Sequence, residues 1–145
     1  MRWATLVVVA VALVGGCNDL RDFRGRWTGP RVGEAAVVRV GVPPSAIATL
    51  EINALDTHGL RGELSISGML AAAPVESLAG AEADALAGMT FSGAPLRVYL
   101  AFVPMPDGGG EALAVIALFD DHRIEARILR GGSAPLYAIF ALSET

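Results

Sequence analysis

The sequence predicts an antiparallel all-β domain of about eight strands behind an N-terminal segment of different character. Three observations predict it. After Trp27, apolar and polar residues alternate along most of the chain, the period-two signature of half-buried strands. The alternating runs are rich in Val, Ile, Leu and aromatic residues, which suit a pleated, half-buried surface. Most connections between the runs are too short for a parallel crossover, which needs roughly a dozen residues, so neighbours run antiparallel. An up-and-down barrel and a two-sheet sandwich both meet these conditions.

In chain order, Met1 and Arg2 precede an apolar run from Trp3 to Val14, followed by Gly15-Gly16-Cys17. A membrane-spanning helix needs about 20 apolar residues and a secretory core only about 7–15, and this run has the shorter length. The segment resembles the signal peptide and lipobox of bacterial lipoproteins. The resemblance implies that Cys17 receives a diacylglyceryl group, that cleavage falls between Gly16 and Cys17, and that the new N-terminus is acylated. Residues 1–16 are then a removed signal peptide, 17–26 a lipidated tether and 27–145 the β domain. Cys17 is the only cysteine, so no internal disulfide can form in a compartment that favours them. Lipidation would consume the exposed thiol. The resemblance implies a cell-envelope location, and since Asp directly after the cysteine favours inner-membrane retention in enterobacterial lipoproteins, Asn18 at that place implies the outer membrane facing the periplasm.

A chain of about 130 residues remains after cleavage, one domain of ordinary size that needs no metal or disulfide to hold a core. Every basic residue is Arg. Loss of Arg2 makes the mature chain one unit more negative than the −4 of the whole. Nucleic-acid binding requires clustered positive charge, so that partner is not expected. Arg21, Arg24, Arg26 and Arg31 do follow the anchor closely, where anionic lipid would attract them. Ten residue steps from Cys17 to Trp27 reach at most about 35 Å.

A first strand starts at Trp27, and further strands are expected at 36–42, 46–54, 60–66, 96–103, 112–119, 123–128 and 136–142. The clearest is Arg123-Ile124-Glu125-Ala126-Arg127-Ile128, with Ile124, Ala126 and Ile128 on the core side and the charged residues towards water. Turn chemistry separates the runs. Pro43-Pro44-Ser45 lacks ladder donors, Asp56-Thr57-His58-Gly59 suits a tight turn, Pro104 to Gly110 is a longer link, and Asp120-Asp121-His122 closes a hairpin. The interval from Met69 to Gly88 breaks the rhythm. Ser77 could cap a short helix over 77–88, with Leu78, Ala81 and Ala85 along one face.

Phe23-Arg24-Gly25-Arg26-Trp27 resembles the first strand of lipocalins and related calycin barrels, where Gly-x-Trp lays an indole across the barrel floor. The resemblance implies a cup for a small apolar ligand, and an arginine near the last strand, here Arg127 or Arg130, packed over Trp27. The family's Thr-Asp-Tyr loop motif and disulfides are absent.

Candidate ligand-lining residues are Trp27, Tyr99, Phe102, Phe119, Tyr137 and Phe140. The same residues would serve a filled core, and the filled core is the simpler expectation. Candidate metal ligands are His58 and His122 with Asp121, each histidine beside carboxylates in a turn. Turns favour Asp and His for backbone reasons alone. Neither a nucleophile-elbow serine nor a phosphate loop is present, and no residue is assigned as catalytic. The expected protein is a lipid-anchored, non-enzymatic β module without a cofactor, whose partners are the membrane and an envelope protein. The alternative is a calycin-like carrier.

Overall fold

Except at the junction of the fourth and fifth, each strand pairs with its neighbour in sequence, and the last returns to the first. The computed structural model describes residues 20–33, 41–78 and 91–145. After a 3-10 turn at Leu20–Phe23 come β1 (Gly25–Val32), β2 (Ile47–Leu55), β3 (Leu60–Ile66) and β4 (Leu70–Glu76). Then follow β5 (Arg97–Pro104), β6 (Glu111–Phe119), β7 (Arg123–Arg130) and β8 (Leu136–Glu144). The sheet order is β4-β3-β2-β1-β8-β7-β6-β5, and every pairing is antiparallel. The sheet curls into a nearly closed up-and-down barrel, which decides between the two architectures left open above.

Closure is incomplete between β4 and β5. Among the described residues, the seam is joined at the Ser77–Ala101 bridge, where Leu78 N–H donates to Leu100 O at 2.7 Å. Continuing their register would set Pro74 opposite Pro104. Alternation along the strands turns the backbone nitrogen of both towards the seam, because Ser77 donates to Leu60 on β3 and Met105 donates to Gly110 beyond β6. Proline has no hydrogen to donate, so the ladder stops.

Two strand expectations differ from the structure. Of 36–42, residues 36–40 lie outside the described residues, and Gly41 and Val42 belong to no strand. β4 was not expected, because Leu70-Ala71-Ala72-Ala73-Pro74 has weak strand propensity. It forms because the Ser67–Met69 turn folds it back on β3, where Leu70, Ala73 and Val75 face the core. Of the expected helix over 77–88, Ser77 is in a β-bridge, Leu78 is bonded to β5, and the rest lies outside the described residues.

Closing eight strands requires sharp coiling, and glycine supplies it at two places. A Cβ on Gly29 would overlap the carbonyl oxygen of Ala141 on β8, and one on Gly62 would overlap that of Glu51 on β2. Register shifts between Ile52 and Ala54, and between Leu64 and Ile66, add further bend.

Among the described residues, the inward side chains are closely packed. Trp27, Ala48, Leu50, Ala101 and Val103 are 0% exposed, and Ile116, Ile128 and Phe140 are each 1%. Alanines at 48, 73, 101, 112, 114, 126 and 138 let opposite walls approach around Trp27 and Phe140. Leu100, Val115, Ala117 and Phe119 are buried as well, on the outward face of β5 and β6.

Alternating strand directions sort the connections into two ends. The floor carries the 3-10 turn, residues 56–59 and residues 120–122. The mouth carries residues 67–69, 105–110 and 131–135.

Candidate functional site

The most elaborate arrangement of side chains lies at the floor. Phe23 is swung under the barrel by the 3-10 turn, where Arg24 N–H bonds to Arg21 O at 3.0 Å. Its ring stacks on Trp27 at 5.6 Å, and the indole Nε1–H donates to the Phe23 carbonyl at 2.9 Å. The buried indole thus has its one polar atom satisfied. His122 arrives from the β6–β7 turn, its ring 5.4 Å from Phe23 and its Nε2 2.8 Å from Glu144 Oε2. On the other side of the floor, the Tyr99 hydroxyl donates to Asp56 O at 2.9 Å. Burial pushes the Tyr99 phenol above its ordinary value. Asp56 accepts the backbone N–H groups of His58 and Gly59, which hold its carboxyl below the usual range.

His122 has φ +57°, the left-handed region that costs an ordinary residue about 1–2 kcal/mol. In three-residue hairpin loops that position is normally glycine. The ring contacts offset the strain here.

The mouth is clasped by charge. Arg130 donates from Nη1 and Nη2 to the two carboxylate oxygens of Asp107 at 2.9 and 2.7 Å, and from Nε to Ala134 O at 2.8 Å. This joins the β5–β6 turn to the β7–β8 turn. The guanidinium, with the Gly109 N–H, lowers the Asp107 pKa to about 2.

A polar network lies on the outer wall. Glu125 accepts from Arg127 Nε at 2.7 Å and from the Ser92 hydroxyl at 3.0 Å, while Arg123 donates to Ser92 Oγ and O, each at 2.8 Å. Arg127 lies 4.6 Å over the Phe91 ring and Arg123 lies 3.8 Å over Phe119. Glu125 and Arg127 do face outward, but they are buried, with each other as partners, and are not in open water as the alternation suggested. A shallow trough of about 680 Å³ runs along the outside of β2–β4, between Ile47, Thr49, Ser65 and Met69.

The candidates from the sequence are divided by this arrangement. Trp27, Tyr99 and Phe140 point inward into the core. Phe102, Phe119 and Tyr137 point outward, since each falls one residue out of phase with the inward set: Phe102 is 51% exposed, and Phe119 is buried beneath Arg123. The six do not converge. Neither Arg127 nor Arg130 covers Trp27; Phe23 and His122 take that place. His58, His122 and Asp121 share the floor end, but Asp121 serves Arg123 at 2.8 Å and His122 serves Glu144. Among the described residues, no three His, Cys, Asp or Glu side chains gather to hold a metal. Gly16 and Cys17 lie outside the described residues. Among those residues no helix is long and apolar enough to cross a membrane.

Three residues with prominent roles were missed: Phe23, His122 as a ring partner, and Glu144. Only the spacing Phe23-x-x-x-Trp27 offered a signal. Comparison with protein-family models, curated proteins and solved structures returned no match.

Proposed function

We propose that this protein is a lipid-anchored cell-envelope lipoprotein whose β barrel is a non-catalytic binding or structural module. The observation that carries the anchor is a short apolar run ending in Gly15-Gly16 before the single cysteine, Cys17. The packed interior supports a module that meets its partners on its outside. Expression of the full chain in a bacterial host, followed by mass spectrometry of the mature form, tests the reading. An N-terminal Cys17 carrying acyl chains is expected, and a Cys17→Ser variant should keep residues 1–16 and gain no lipid. A mature chain beginning elsewhere without lipid would refute the anchor.

The alternative is a calycin-like carrier, favoured by Trp27 lying at the barrel floor behind Gly25. It needs a cavity among the inward side chains, of which Trp27, Leu50 and Phe140 are 0–1% exposed. Native mass spectrometry of residues 18–145 separates the two, because a carrier would retain extra mass that denaturation removes.

A further inference from the structure

The Leu20–Phe23 turn changes the geometry of attachment. From sequence, the folded domain was expected at Trp27, ten residues beyond Cys17. In the structure Leu20 is packed against the core, and Phe23 is pinned to Trp27 by ring stacking and a 2.9 Å hydrogen bond. The leash is therefore only the three residue steps from Cys17 to Leu20, at most about 11 Å when fully extended. The barrel is longer than its leash: strands of eight or nine residues rise about 3.3 Å per residue, some 20 Å along the axis after tilting. With the floor held that close, the barrel cannot invert to set its mouth face-down on the surface from which the chain emerges.

We propose that the floor end of the barrel is a bilayer-facing surface, on which the domain stands end-on against phospholipid headgroups. This rests on the lipid-anchor reading above. The floor brings the 56–59 turn and the 120–122 turn to the lipid, with Arg21 and Arg24 exposed where the chain enters. Those arginines stand nearest the anchor and complement anionic headgroups, while Asp22, Asp56, Glu76, Asp120, Asp121 and Glu144 balance the charge of the rim. Attachment length keeps the floor, and not the mouth, as the end nearest the lipid. The mouth, clasped by Arg130 and Asp107, then projects away from the membrane as the face available to a partner.

The test uses the full chain, processed in cells and reconstituted into phosphatidylethanolamine–phosphatidylglycerol vesicles whose headgroups carry a contact quencher. Lipid occupies Cys17, so a single new cysteine can carry a fluorophore: His58→Cys at the floor, Glu51→Cys on the barrel side, or Ser133→Cys at the mouth. All three positions are exposed. Mass spectrometry of each sample first establishes that Cys17 is acylated. Several-fold stronger quenching at position 58 than at 51 and 133 is expected. Equal or stronger quenching at position 51 would mean the barrel lies on its side, and at position 133 that the mouth faces the lipid; either overturns the orientation while the anchor stands. Absence of acylation would overturn the anchor reading itself, and the orientation with it.

Discussion

The imidazole of His122 stands 5.0 Å from the indole of Trp27, tilted by 60°, and closes the barrel floor from the β6–β7 turn. It holds this place at a backbone angle that favours glycine, so its side chain and its backbone pull in opposite directions. His122→Ala should lose the ring contacts, which are worth about 1 kcal/mol, and keep the strain. His122→Gly should lose the same contacts but relieve about 1 kcal/mol of strain. Urea unfolding of residues 18–145, with Trp27 as the single indole, should rank wild type first, His122→Gly second and His122→Ala last.

Gly29 should tolerate no side chain. A methyl group there would overlap the Ala141 carbonyl, which is backbone and has no rotamer to escape into. Gly29→Ala is expected to cost about 3 kcal/mol or more. Gly131→Ala, where a Cβ meets nothing within 4 Å, should stay within about 0.5 kcal/mol of wild type. Thermal melts of the two variants check the contrast.

The β4–β5 seam should be the first part of the wall to open. The Glu76 amide faces the seam next to its bridge, two residues from Pro74. Hydrogen exchange should be faster at this amide than at Val75, whose N–H faces β3. A Pro74→Ala, Pro104→Ala double variant regains both donors and should slow the exchange.

Acid should weaken the mouth in a defined window. An ordinary aspartate ionises near 3.8, and Asp107 does so near 2 in the fold. A lowered folded-state pKa contributes stability that is fully present above about pH 4 and is lost as pH falls through about 2. The urea midpoint of wild type should therefore drop across that interval more steeply than that of Asp107→Asn.

The barrel was readable because alternation is a local signal that burial enforces residue by residue. β7 illustrates this: Ile124, Ala126 and Ile128 fall inward as the pattern required. β4 was hidden because its propensity is poor and its stability comes from β3, a tertiary partner. The floor was harder still. His122 and Glu144 are 22 residues apart, and Trp27 meets His122 only after β1 has paired with β8. Turn composition explained His122 well enough that nothing in the sequence called for a second role. Glu125 and Arg127 were misjudged because alternation gives the direction of a side chain and not what lies over it.

The pairing of β1 with β8 has a consequence for how the chain reaches this shape. Most other pairings join strands linked by short turns, which can form early and independently. Joining Trp27 to Glu144 and Val32 to Ile139 closes a loop of more than 100 residues, so the barrel wall is completed late in folding. Trp27 sits on that last strand pair, and its full burial waits for it. In a stopped-flow experiment, circular dichroism should therefore develop before Trp27 fluorescence reaches its native value, making the floor indole a clock for the final step.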